Sequence, residues 1–293
     1  MNFVLIGDLM VDIVTILQDA DIHYGDDNRA RVEIHGGGAA ANVTAWMAVA
    51  GHHPTLHCVV GDDVIGHGLV AELESNGATV RATYSDQPTS AVVALVHPNG
   101  ERTMFPSASA NFGLPANALD AALLPGDHLH VSGYLLLRAH TRDAGMQYIR
   151  TAKALGATVS LDPASARLIQ LMGADAALAA MRDVDLLIGN ELEAIALTNA
   201  PDARTAVEML GRRFPTAIVK LGPDGCATWV DGQYLHQPAL PTEVIDTVGA
   251  GDAFAAGAIV AWKQGSTVPE ILAAGNSFGR SAVQQRGARP PRH

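Results

Sequence analysis

The order of its apolar segments constrains this chain most. Short continuous apolar runs recur along it: "FVLIG" (3–7), "TLHCVVG" (55–61), "HLHVSG" (128–133), "ATVSLD" (157–162), "DLLIGN" (185–190) and "TAIVKLG" (216–222). Longer amphipathic stretches lie between them, at 39–50, 64–76, 141–155, 191–197 and 204–213. A strand that is apolar on both faces must be covered on both faces, and intervening helices supply that cover. The expected architecture is therefore α/β, with three α/β/α layers around a mainly parallel central sheet. Such sheets bind ligands beyond the carboxyl ends of their strands. Two regions break the alternation. Residues 12–35 and 89–105 read with period two, and the second carries an "HPNGE" turn between its halves. They are expected to form a small β-sheet lid inserted into a single domain spanning 1–293.

Composition narrows the partners. The chain is 48% hydrophobic and 17% charged, which suits a globular protein rather than a disordered one. A formal net charge of −11 disfavours nucleic acid or an anionic membrane as partner, while leaving small anions to local fields. The two cysteines, Cys58 and Cys226, sit in apolar runs, so no disulfide framework is expected and a reducing cytoplasm is. The N-terminal run has no basic start, and Asp8 and Asp12 interrupt it, so it reads as a buried strand rather than a signal peptide. No segment approaches the roughly 18 apolar residues of a membrane span. The stretch "RGARPPRH" at 286–293 reads as a frayed end.

The segment "DTVGAGDAFAAG" (246–257) places a small-residue turn, Gly249-Ala250-Gly251, ahead of an Ala-rich apolar stretch. A Gly-rich turn opening a helix attracts anions through unpaired N–H groups and the helix dipole. The carboxylate of Asp252 in the same place repels them, which makes sense if the anion is to react rather than only bind. A dinucleotide fingerprint fails here, because Phe254 stands at the third Gly position and no strong strand leads into the turn. Gly-x-x-x-x-Gly-Lys-Ser/Thr is absent, which excludes a P-loop.

Three further places carry polar groups where an apolar pattern would continue. Gly36-Gly37-Gly38 opens an Ala-rich helix, and Asn42, one turn in, needs a partner that a hydroxylated ligand could supply. Of Asp8 and Asp12, which flank the exit of the first strand, one reads as a loop cap and the other as an acceptor for sugar hydroxyls. Asn190 and Glu193 follow an apolar strand three apart. They suit either a capping box or a magnesium-and-water site.

The Gly run with Asn42 (36–42), "GNELE" (189–193), "KLGPDG" (220–225) and above all "DTVGAGDAFAAG" resemble, in order and spacing, the ribokinase or PfkB-type carbohydrate and nucleoside kinase family. The resemblance covers essentially the whole chain. It implies a ribokinase-like fold and ATP-dependent phosphorylation of a hydroxymethyl group on a small neutral sugar. A nucleoside kinase, with Met104, Phe105 or Phe112 lining a base slot, is the alternative, as is a catalytically silent sugar-binding regulator.

By the same resemblance Asp252 is the base, and the backbone of Gly249, Ala250 and Gly251 forms the anion hole. Asp12, Gly37, Gly38 and Asn42 hold the sugar. Asn190 and Glu193 organise Mg²⁺, and Gly222, Gly225 and Asn276, with the loop at Arg286-Gly287, border the nucleotide. Asp246 joins carbonyls in a monovalent-cation (K⁺) site.

The chain departs from the family in two places. Lys220 stands where the family often has Thr, so it supplies a charge near the nucleotide phosphates or points away. "DPASAR" (162–167) lacks an expected Asn, which leaves Asp162 and Arg167 open. The lid stretch "ERTMFPSASAN" offers no cation over Met104 to Ser107, so an uncharged acceptor is expected, with Arg29, Arg31 and Arg102 as exceptions. An exposed apolar lid face would make the protein a cytoplasmic homodimer.

Overall fold

A computed structural model describes residues 2–291 except 20, 100, 108, 116–118 and 120–122; the side chains of Arg102 and Phe112 also lie outside the description. The strands are β1 (Phe3–Ile6), β2 (Met10–Leu17), β3 (Ala30–Gly37), β4 (Thr55–Gly61), β5 (Thr79–Ser85), β6 (Ala91–Val96) and β7 (Arg102–Ser107). They continue with β8 (His128–Ser132), β9 (Thr158–Asp162), β10 (Leu186–Asn190), β11 (Thr216–Lys220), β12 (Cys226–Val230) and β13 (Gln233–Gln237). The helices are α1 (Ala39–Val49), α2 (Val64–Ser75), α3 (Tyr134–Leu137), α4 (Ala139–Ala154) and α5 (Ala166–Met172). After them come α6 (Ala174–Ala180), α7 (Glu191–Thr198), α8 (Ala203–Arg213), α9 (Ala250–Lys263) and α10 (Val268–Val283).

Nine strands form the large sheet in the order β13-β12-β11-β10-β9-β8-β1-β4-β5. Pairing is parallel from β11 to β5, and at the other edge β12 runs antiparallel to both β11 and β13. All six apolar runs are strands of this sheet. Alternate residues of β1 feed opposite cores: Leu5 packs with α1, α9 and α10, and Val4 and Ile6 pack with α4 to α8. A strand buried on both faces thus has two apolar layers to satisfy, and the ribokinase-like three-layer α/β expectation holds.

The second sheet has four strands in the order β3-β2-β6-β7. Its strands occupy parts of 12–35 and 89–105 and overrun both, with residues 18, 19 and 21–29 outside any strand. Directly paired residues share a face. Asp12, His35, Val92 and Pro106 lie on one face, and Ile13, Ile34, Val93 and Phe105 on the other.

Three strands of the large sheet lie outside the six apolar runs, and one sequence expectation needs correction. The edge strands β5 and β13 carry weaker apolar patterns because an edge strand is covered on fewer sides, and β12, which lies inside β13, is a short run buried at 226–228. The expected frayed end is not frayed over its described part: Ala288 and Arg289 are buried, and Trp46 Nε1 donates to the Ala288 carbonyl at 3.0 Å. No described helix is long and apolar enough to cross a membrane.

Candidate active site

The carboxyl ends of β1, β8, β9, β10 and β11 open into a cavity of about 520 Å³. Asp8, Asp162, Asn190, Glu193 and Lys220 reach it from the sheet side, Gly251 and Asp252 from the start of α9, and Met10, Val92 and Pro106 from the small sheet.

The start of α9 is built for a charge. Gly249 is its N-cap at φ 74°, and no side chain caps the helix. A Cβ at Gly249 would come 2.5 Å from Ala288 Cα, so conformation and space both require glycine there. The first-turn N–H groups therefore lack both intrahelical acceptors and a capping side chain.

Asp252 lies in that first turn. Burial is the main cause that raises its pKa to about 7, and Asp162 and Asp8 add to the rise. The Asn42 hydrogen bond, with Nδ2 donating to Asp252 Oδ2 at 2.8 Å, and the charge of Lys220 oppose it.

Lys220 ends β11 and points into the site. Its Nζ donates to Asp162 Oδ2 at 2.5 Å and would stand 3.2 Å from a Cβ on Gly251. Burial opposes its charge, but Asp162, Glu193 and Asp252 outweigh burial and hold its pKa above the ordinary lysine value. Lys220 is therefore a cation beside the α9 start.

Asn190 and Glu193 form a complete capping box on α7. Asn190 Oδ1 accepts from Glu193 N at 2.9 Å, and Glu193 Oε2 accepts from Asn190 N at 2.8 Å. Both residues also line the cavity. Burial, with Asp162 nearby, pushes the Glu193 carboxyl well above the usual carboxylate range. Among the described residues no three His, Cys, Asp or Glu side chains cluster as a metal site.

The family model for pfkB family carbohydrate kinases matches residues 2–293. An ATP-dependent ribose-1-phosphate kinase from Halopiger xanaduensis is 33% identical over 261 residues, covering 87% of this chain and 82% of that protein. A fructokinase from Klebsiella pneumoniae is 31% identical over 275 residues, covering 89% and 87%. A crystal structure of fructokinase from Vibrio cholerae, in its fructose-, ADP- and calcium-bound form, superposes with a TM-score of 0.83 at 23% identity, covering 98% and 94%. The chain belongs to the pfkB carbohydrate kinase family. It is a kinase of the ribokinase-like type that phosphorylates sugars.

For this pfkB kinase, the residues expected at the site fall into three groups. Gly38, Asn190, Glu193, Lys220, Gly251 and Asp252 line the cavity, and Gly249 and Ala250 lie directly before them. Asp12 lines a smaller cavity of about 250 Å³, with Glu33, His35, Asp246 and Arg286. Burial raises the Asp12 pKa to about 6 against the pull of Arg289. Gly37 lies against the Asp12 carboxylate. Asn42 is buried behind the wall and partnered by protein groups, so its sequence signal marked a network rather than an open ligand site.

The third group lies further along. Gly225 packs on Gln237 and Pro238, whose carbonyls accept from Asn276 Nδ2 at 3.2 and 2.9 Å. Gly222, at φ 61°, opens the turn that Gly225 closes. Asp246 clamps its own loop to the C-terminal segment, accepting from Val248 N and Gly287 N, both at 3.1 Å. Arg167 is exposed and lies off the cavity.

Asp8 supplies the cap for α1, accepting from Ala39 N at 2.8 Å. Two further cavity residues, Tyr134 and Arg138, were not legible from the sequence. They lie in and beside a four-residue helix, α3, that carries no motif. The GNSFG pentapeptide (275–279) has Gly-x-Ser-x-Gly spacing, but it lies inside α10 and makes no strand–turn–helix elbow.

Proposed function

We propose that the chain transfers the γ-phosphoryl group of ATP to a primary hydroxyl of a small neutral sugar, with Asp252 as the base. The observation that carries this reading is a half-buried Asp252, its pKa raised to about 7, in the first turn of an uncapped helix with Lys220 alongside. A base near neutrality takes a proton efficiently, and fixed N–H dipoles and a cation stabilise the transferring phosphoryl group without reorganising. The acceptor hydroxyl gives its proton to Asp252 as its oxygen bonds to the γ-phosphorus. The bond from that phosphorus to the bridging oxygen breaks, and ADP leaves with the electron pair.

Glu193, Asn190 and Asp162 offer the oxygen donors that suit Mg²⁺. Several of those oxygens are already hydrogen-bonded, so the set fits an ion held through water and phosphate rather than an all-protein cage. Bound Mg²⁺ would neutralise charge on the phosphates. The nucleotide would run past the Gly222–Gly225 turn, whose wall Asn276 braces. Asp246 would share a K⁺ site with neighbouring carbonyls.

The small sheet reads as a lid on a single domain. The face bearing Asp12, Val92 and Pro106 turns toward both cavities, so closure would carry Asp12 to the acceptor and exclude water. The opposite face exposes Ile34 and Phe105, which suits a two-fold homodimer. Acidic charge and unpaired, buried cysteines suit a cytoplasmic enzyme.

One observation favours a second reading of the acceptor. Arg138 brings a guanidinium to the main cavity from outside the lid, and the ribose-1-phosphate kinase relative is named for an anionic acceptor. ADP release from MgATP with D-ribose, D-fructose, ribose 1-phosphate and adenosine decides between them. Turnover of the free sugars supports the neutral acceptor, and turnover of ribose 1-phosphate alone replaces it with a sugar phosphate.

A further inference from the structure

The C-terminal segment drives a cation under the active site. Arg289 is 7% exposed, and its guanidinium is bound on three sides. Nη2 donates to the Gly37 carbonyl at 2.8 Å, Nη1 to Glu72 Oε1 at 3.2 Å, and Nε to Asn42 Oδ1 at 3.3 Å. Gly36 has no side chain where Nη1 passes, and a Cβ there would collide with it. The cation thus ties together the end of β3, helix α1 and helix α2. The Gln285 side-chain amide holds the Arg289 carbonyl at 2.9 Å, which fixes the segment that delivers it.

A primary amide can present either its oxygen or its nitrogen to a neighbour, and the network decides which. Arginine only donates, so Asn42 must turn Oδ1 to Arg289 and Nδ2 to the opposite side. Asp252 is on that side, with its Oδ2 accepting at 2.8 Å. Without the guanidinium only the Asp252 carboxylate opposes rotation of the amide, which would set a carbonyl oxygen against it, so Arg289 supplies the second of two holds on the amide.

We propose that Arg289 is a positioning residue for phosphoryl transfer, locking the Asn42 amide so that its nitrogen always faces Asp252. One oxygen of Asp252 is thereby held, and the other is left to take the proton of the acceptor hydroxyl. The inference rests on the reading of Asp252 as the base. Asp8, Asp162, Lys220 and Tyr134 also act on Asp252 and are untouched by substitutions at position 289.

The test is a double-mutant cycle. In a Glu72→Gln background, which removes the ion pair Glu72 makes with Arg289, Arg289→Met and Arg289→Lys are made with Asn42 intact and with Asn42→Ala, so that the effect of Arg289 on Asp12 is common to both arms. Circular dichroism confirms folding. Turnover is read with MgATP and D-ribose or D-fructose, and the Asn42 side-chain NH₂ signal by ¹H–¹⁵N NMR of the unliganded protein. Arg289→Met should lower kcat about 10-fold, the loss of roughly one hydrogen bond in the transition state, with KM for ATP unchanged. In the Asn42→Ala background it should change kcat less than about 2-fold, because the residue it acts through is gone. Arg289→Lys should recover part of the loss, and the NH₂ signal should shift and broaden in Arg289→Met. An unmoved NH₂ signal, or an equal fall in kcat in both backgrounds, overturns the proposal. If neither sugar turns over, the NH₂ signal decides alone. Retained turnover in Asp252→Asn would refute the base reading separately, and it leaves the amide measurement intact.

Discussion

Asn42 Nδ2 and Asp252 Oδ2 meet at 2.8 Å across 210 residues of sequence, joining helix α1 to helix α9. The contact puts a neutral donor on a half-buried carboxylate that faces the cavity. It lowers a pKa that burial alone would push higher still, and so keeps the base usable near neutrality.

Asp252→Asn should lower kcat by about 10²–10⁴-fold and leave KM for ATP within a few-fold, since it removes only the proton acceptor. Steady-state kinetics check this, and near-normal turnover would reduce Asp252 to a helix-start acid.

The same residue should govern pH dependence in opposite senses for rate and stability. Turnover needs the carboxylate, so it should rise with pH through about 7. The folded-state pKa lies above the ordinary 3.8, so the folded protein favours the protonated form. Stability from this group is complete below pH 3.8 and is lost as pH rises to about 7. Asp252→Asn should therefore show a higher Tm than the parent at pH 8 and lose part of the decline between pH 4 and 7. A parallel decline in both proteins would contradict the raised pKa.

Lys220→Ala should lower kcat about 10²–10³-fold, as expected for loss of a fixed cation at the transferred phosphoryl group. It also leaves the buried Glu193 without a nearby cation, so Tm should fall most at alkaline pH, where the Glu193 carboxyl, held up by burial, becomes ionised. Unchanged kcat would make Lys220 a structural counter-ion only.

Glu193→Gln keeps an oxygen for the capping bond to Asn190 N and removes the negative charge. The magnesium concentration for half-maximal rate should rise, with Tm unchanged or higher at alkaline pH because burial penalises the charged form. An unmoved magnesium titration assigns the pair to helix capping alone.

Asp12→Ala should raise acceptor KM steeply and barely change KM for ATP, if closure of the small sheet brings its inner face to the acceptor. Equal KM values for the two proteins would leave Asp12 to its smaller cavity.

Local patterns were decisive wherever one element sufficed. Each apolar run became a strand of the large sheet, because burial on both faces demands continuous apolar sequence. The Gly249–Gly251 turn announced an exposed helix start, because φ 74° and the close approach of Ala288 leave only glycine at position 249. Asn190 and Glu193 were equally legible, since a capping box involves only four consecutive residues.

Relations between distant elements were not legible. The spacing of Asn42 showed that it needed a partner, but only the packing of α1 on α9, with the returning C-terminal segment, showed that Asp252 and Arg289 satisfy it. Residues 286–293 are rich in Arg, Pro and Gly, which suits a solvated tail. Ala288, Arg289 and Pro290 are nevertheless buried, because Glu72, Gly37 and Asn42 together compensate the Arg289 charge, whose burial no local pattern foretells. Asp12 and Asp8 look alike in sequence, and the pleat of β2 and the start of α1 decide which faces the small sheet's cavity and which caps a helix. Side-chain direction depends on what is packed opposite, and that is set by the fold as a whole.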